Sequence, residues 1–150
     1  LEKARDLEHR FLDVMQRDTE AFNAVSAVFA MPKGTDEEKA ARSQAMQQAL
    51  QGCTRTPFEM MELSLEALRL TEGLVDRSNA NAASDLGCAA LHLGCAIQGA
   101  WLNVLINLGS IRDVAFAAQY RTRGQILLDE ALPMSRRIYG RVLEMVNSVS

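Results

Sequence analysis

From residue 86 to residue 108 the sequence carries no formally charged side chain, with His92 counted as neutral. No other feature limits the possible folds more. A run of that length is either a membrane span or a helix buried among other helices. His92, Gln98, Asn103 and Asn107 interrupt it, and no aromatic belt flanks it. Polar side chains are costly in lipid, so no membrane partner is expected. Gly87, Ala89, Ala90, Gly94, Ala96, Gly99 and Ala100 make the helix thin on several sides, which lets neighbours approach closely. The run therefore predicts a central, small-residue-rich helix surrounded by others.

The rest of the chain supplies those others. Ala, Leu, Met, Gln, Glu and Arg dominate, and β-branched alternation is absent, so nothing reads as strand. A first helix is expected over residues 1–30, ending at the Pro/Gly break Met31-Pro32-Lys33-Gly34. A second begins at Thr35, where Glu38 completes a capping box. Thr56-Pro57-Phe58-Glu59 repeats that signal, with Pro at the first position of a third helix reaching about residue 76. Ser78-Asn79-Ala80-Asn81 reads as a turn. The last helix starts near Asp113 and runs towards Ser148, with a kink or break near Leu132 imposed by Pro133. The expectation is an all-α bundle of five or six helices in one domain over residues 1–150. Long helices in a short chain leave wide apolar stripes, so much of the buried surface is expected to be shared with a second copy.

Composition narrows the function classes. Hydrophobic residues make up 48% and charged residues 23%, which is ordinary for a globular chain and unlike a disordered one. The net charge of −3, with Lys and Arg scattered, gives no basic stripe for nucleic acid. Cys53, Cys88 and Cys95 are odd in number and form no CxxC pair, which fits reduced thiols and a cytoplasmic location. No signal peptide opens the sequence, and the first residue is Leu1, as expected of a fragment or a processed chain.

Four groups of residues are candidates for chemistry. Phe11, Val14, Met15, Phe22, Val25 and Phe29 recur at helical spacing, and at about 100° per residue Asp18 falls within their stripe. A carboxylate there must be protonated, paired or hydrogen-bonded. It is a functional acid–base group, half of a structural pair with an Arg, or the point where the stripe ends at solvent. Cys88, His92 and Cys95 share one face but span about 10 Å of helix axis, too far to converge on one tetrahedral metal, so no metal site is expected. Asn79, Asn81, Ser84 and Asp85 form a polar turn and helix N-cap. That cluster either caps the helix through Ser84 or Asp85 or receives a hydrogen-bonding ligand. Asn103 and Asn107 lie one turn apart, and buried amides need partners in a neighbouring helix or a pocket. Phosphate-cradling, dinucleotide and nucleophile-elbow motifs are absent.

"DTEAFNAV", "MPKGTDEEKAAR", "TPFEM", "SNANAASDLG" and "LNVLINL" follow one another in an order and spacing that resembles the cyclodeaminase/cyclohydrolase family of folate enzymes. The resemblance runs from about residue 12 to the C-terminus. It implies an all-helical fold, a homodimer, a tetrahydrofolate derivative as substrate, and neither a metal nor a prosthetic group. The family's proposed catalytic aspartate, in a D-x-x-x-F setting, falls on Asp18. Its polar loop falls on Asn79, Ser84 and Asp85, and its N-V-x-x-N stretch on Asn103 and Asn107; these five are implied to bind substrate. Members usually begin with a Pro-Gly-Gly-Gly loop and an Ala-rich helix, which this sequence does not contain, so the family's N-terminal segment is expected to be missing here.

The resemblance also implies a reaction. In the cyclodeaminase, N10 of tetrahydrofolate attacks the formimino carbon on N5 and ammonia leaves. In the cyclohydrolase, water opens the 5,10-methenyl bridge to give 10-formyl-tetrahydrofolate. Each needs a proton taken from a nucleophile and one delivered to a leaving nitrogen. A single carboxylate raised in pKa by burial can do both, and Asp18 is expected to be that group. "NVLINL" and "SIRDVAF" favour the cyclodeaminase, with the cyclohydrolase as alternative. A non-catalytic helical scaffold is the reading from another class.

Overall fold

The computed structural model describes residues 1–75, 77 and 82–148. Its described residues form four helices and no strand: α1 (Glu2–Phe29), α2 (Asp36–Val75), α3 (Ala83–Leu108) and α4 (Val114–Ser148). The all-α class holds, and several boundaries fall where local chemistry puts them. α1 ends before the Met31-Pro32 break. At the start of α2, the Glu38 N–H donates to Thr35 Oγ1 at 3.2 Å and the Thr35 N–H to Glu38 Oε2 at 3.1 Å, the expected reciprocal cap. Asp113 caps α4 by accepting from the Phe116 N–H at 2.9 Å.

Four long helices replace the expected five or six because neither internal proline ends its helix. Pro57 lies inside the 40-residue α2 and Pro133 inside the 35-residue α4. Proline lacks an N–H, so Pro57 leaves the Cys53 carbonyl without its helical donor. An unpaired buried carbonyl would cost about 1–3 kcal/mol. Asn107 of α3 removes that cost, its Nδ2 donating to Cys53 O at 2.8 Å. Pro133 needs no such partner. Both it and Asp129, four residues earlier, are exposed, so the freed carbonyl can bond water.

The core lies where α2, α3 and α4 meet, around Phe58, Met61, Leu68, Ile97, Val104 and Ile138. A smaller cluster of Leu7, Val14 and Leu63 joins α1 to α2. α2 is thus the element that touches the other three. The small residues of α3 do bring α4 close. Gly94 abuts Ser135, whose hydroxyl donates to Ala90 O at 2.7 Å, and the Trp101 ring lies against Gly124.

The expectation that α3 is covered on all sides is met on one face only. Gly87, Ala90, Gly94, Ile97, Val104 and Leu108 are buried. On the other side Leu102 is 68% and Ile106 74% exposed, because none of the described helices lies there. The stripe on α1 is also open: Val14 is buried, whereas Met15, Phe22 and Phe29 are exposed. By length and composition α3 is the one described helix apolar enough to cross a membrane.

Candidate functional site

α1, α2 and α3 enclose a cleft of about 500 Å³. α1 contributes Asp18 and Thr19, α2 Thr56 and Met60, and α3 Ala96 and Asn103. Gly99 and Ala100 form part of the α3 wall. These small residues, read from the sequence as helix contacts, here leave room for a ligand.

The polar centre is a contact between neighbouring helices. Thr56 Oγ1 donates to Asp18 Oδ1 at 2.7 Å. One turn further on, Arg17 grips Glu59 with two N–H···O bonds of 2.8 Å each and also bonds Asp13. These carboxylates push the Arg17 guanidinium pKa further up, so Arg17 stays charged and fixes α1 on α2 beside the cleft. Thr56 and Glu59 have the spacing of a capping box. In the fold both turn outwards, to Asp18 and Arg17, because α2 continues through them and has no N-terminus there to cap.

Asp18 is exposed to the cleft rather than buried in an apolar stripe. The expected burial fails because the stripe's outer members, Met15 and Phe22, are themselves exposed among the described residues. Thr56 supplies the hydrogen-bonded alternative that the sequence left open. Cys53 lies nearby, half-buried; desolvation pushes its thiol pKa up, and the negative charge of Asp18 adds to the effect. It is therefore held as a thiol near neutrality, which makes it a poor nucleophile.

The other sequence candidates separate. Asn103 lines the cleft, and its Nδ2 bonds its own helix at Gly99 O, at 3.3 Å. Asn107 is not part of the lining. Its amide bonds Cys53 O and Asn103 O, at 2.8 and 2.9 Å, so it holds backbone to backbone. Ser84 and Asp85 are exposed at the far end of α3, about 27 Å along the axis from Asn103 at 1.5 Å per residue. They cannot share the Asp18 cleft within one chain. Neither caps α3, which starts at Ala83 behind an Ala82 N-cap that makes no side-chain bond. Asn79 and Asn81 lie outside the described residues. Cys88 and Cys95 are exposed free thiols, and His92 is exposed between them. Among the described residues no three His, Cys, Asp or Glu side chains form a possible metal site.

The sequence matches the family model described as formiminotransferase-cyclodeaminase over residues 1–125. A methenyltetrahydrofolate cyclohydrolase of Methylorubrum extorquens is 37% identical over 147 residues, covering 98% of this chain and 71% of that protein. A formimidoyltransferase-cyclodeaminase of Sus scrofa is 32% identical over 133 residues, covering 89% of this chain but only 25% of its own length. The crystal structure of a formiminotetrahydrofolate cyclodeaminase from Thermotoga maritima superposes with a TM-score of 0.72 at 26% identity, covering 99% of this chain and 68% of that one.

Proposed function

The chain belongs to the formiminotransferase-cyclodeaminase family, and we propose that it is an enzyme acting on the one-carbon bridge of a tetrahydrofolate at the Asp18 cleft. The observation that carries this reading is the Asp18 carboxylate, held at 2.7 Å by Thr56 in an open cleft rather than consumed by an ion pair. One of the two structural alternatives for Asp18 required an Arg partner; the other, a stripe that ends at solvent, fits its exposure. The nearest arginine in sequence, Arg17, is engaged with Asp13 and Glu59 instead.

The chemistry follows from one oxygen being fixed and the other free. In ring opening, water adds to the methenyl carbon while its proton passes to Asp18. The C–N5 bond of the tetrahedral intermediate then breaks as Asp18 returns that proton to N5, and the hydroxyl group loses its remaining proton to solvent, leaving the formyl group on N10. In the deaminating direction, N10 adds to the formimino carbon and gives up its proton to Asp18, which delivers it to the departing ammonia. Asn103 is placed to hydrogen-bond the substrate from the α3 wall. Neither scheme calls on a metal or a prosthetic group.

Of the two, we favour ring opening, the cyclohydrolase reaction. The Methylorubrum relative shares 37% identity across nearly all of this chain. The cyclodeaminase reading is supported by the fold likeness to the Thermotoga maritima protein and by the Sus scrofa relative. The discriminating experiment supplies each substrate separately to the purified protein. Loss of 5,10-methenyl-tetrahydrofolate beyond its spontaneous rate, without activity on the 5-formimino compound, establishes ring opening. Appearance of the methenyl band from 5-formimino-tetrahydrofolate, with ammonia released, establishes the cyclodeaminase. Silence with both leaves the scaffold reading.

The same proposal includes a homodimer and a reducing, cytoplasmic setting. Met15, Phe22, Leu102 and Ile106 are all exposed on α1 and α3, the helices that wall the cleft, and a second copy would cover them. Three free thiols suit a reducing compartment.

A further inference from the structure

Four hydroxyl side chains of α2 are buried: Thr54, Thr56, Ser64 and Thr71. Three of them bond back to the carbonyl four residues earlier. Thr54 bonds Leu50 O at 2.9 Å, Ser64 bonds Met60 O at 2.8 Å, and Thr71 bonds Ala67 O at 2.8 Å. This is the usual way a helix satisfies an interior hydroxyl. Thr56 alone reaches across to another helix, and its acceptor is Asp18. Thr56 immediately precedes Pro57, and Pro57 frees the Cys53 carbonyl. The donor that takes up that carbonyl is the Asn107 amide, which at the same time bonds Asn103 O on its own helix.

We propose that Thr56 and Asn107 are positioning residues for Asp18, acting in series through the proline turn of α2. Asn107 ties the turn at Cys53 and Pro57 to α3. The turn presents the Thr56 hydroxyl to α1. Thr56 donates a hydrogen bond to Asp18 Oδ1 and so fixes the carboxylate plane. Oδ2 has no partner among the described residues and is the oxygen left to carry the reaction's proton. Asn107 thus serves the site without touching substrate, and it stabilises Pro57 as well. The inference rests on the proposed folate chemistry for its kinetic readout only.

The test compares Thr56→Val, Thr56→Ser and Asn107→Leu with the natural chain, by steady-state kinetics and thermal melting. Thr56→Val keeps the shape and removes the donor. It should lower kcat by about ten- to a hundredfold, the order expected when a catalytic group loses its orientation, with KM little changed. Thr56→Ser should restore most of that loss. Asn107→Leu should lower kcat in the same sense, and adding it to Thr56→Val should cost kcat little more, because the two act on one bond. A merely structural role predicts lower melting temperatures with natural kcat in the folded fraction, and that result overturns the proposal. So does failure of Ser to rescue Val. If Asn107→Leu does not fold, the Thr56 pair still decides. If the natural chain turns over neither folate, the functional reading falls by itself. The positioning role is then judged from crystal structures: Asp18 in one rotamer in the natural chain and in several in Thr56→Val sustains it, and unchanged order in both overturns it.

Discussion

Asp18→Asn keeps the side-chain shape and its acceptor for Thr56 but loses the ability to carry a proton. Turnover should fall by about 10²- to 10⁴-fold, the usual worth of a general acid–base group, while the melting temperature stays near the natural value. A second consequence concerns Cys53. Its thiol pKa is raised by burial first and by the Asp18 charge second, so less of it is thiolate at a given pH than in the unfolded chain. Thiolate is the species that alkylates. Iodoacetamide should therefore modify Cys53 more slowly in the folded protein than in denaturant. Removing the negative charge with Asp18→Asn lowers that pKa and should speed the reaction at mildly alkaline pH. Mass-spectrometric rates for the Cys53 peptide check both statements, and an unchanged rate in Asp18→Asn would show that the two groups do not sense each other. Asp18 was legible in the sequence because a carboxylate breaks a helical stripe. Thr56 was not: Thr-Pro-Phe-Glu matches a local capping motif, and only the packing of α1 on α2 shows that Thr56 and Glu59 serve Asp18 and Arg17.

Helix type was legible for every element, but helix ends were legible only where the breaking chemistry goes uncompensated. Met31-Pro32-Lys33-Gly34 ends α1. Pro57 and Pro133 do not end α2 and α4, since the freed carbonyl finds Asn107 in one case and solvent in the other. Such compensation comes from residues distant in sequence, and periodicity cannot register it. The glycines of α3 were legible as close contacts without their partners being known, whereas Gly124 of α4 drew no reading from the sequence. Gly124 lies so near the Trp101 ring that a methyl group there would overlap it. Gly124→Ala should destabilise the fold by about 1–3 kcal/mol as the ring is displaced. Trp101 is the only tryptophan, so denaturant unfolding followed by its fluorescence reads the change at that spot. A natural midpoint in the variant would mean that α4 moves away without cost.

Two faces of the molecule remain open, the outer side of α3 and the outer edge of the α1 stripe. In the homodimer proposed above, these exposed apolar faces are the contact area. In the proposed homodimer, Ile106→Glu or Phe22→Glu would bury a charge in that contact. Each should shift the protein towards monomer in size-exclusion chromatography with light scattering, while far-ultraviolet dichroism stays helical. If the natural chain is monomeric at all concentrations, the dimer is refuted. The wide stripes were legible in the sequence. Which of them this chain's own helices cover was not, because a face left open and a face directed at the core carry the same residues.

The decisive experiment follows the absorbance of 5,10-methenyl-tetrahydrofolate with the natural chain and with Asp18→Asn, alongside a blank for spontaneous hydrolysis. The expected result is accelerated loss of the band with the natural chain and a near-blank rate with the variant, both proteins melting alike. Equal rates in the two proteins would show that the carboxylate held by Thr56 is not the acid–base group, and the site would have to be sought elsewhere in the fold.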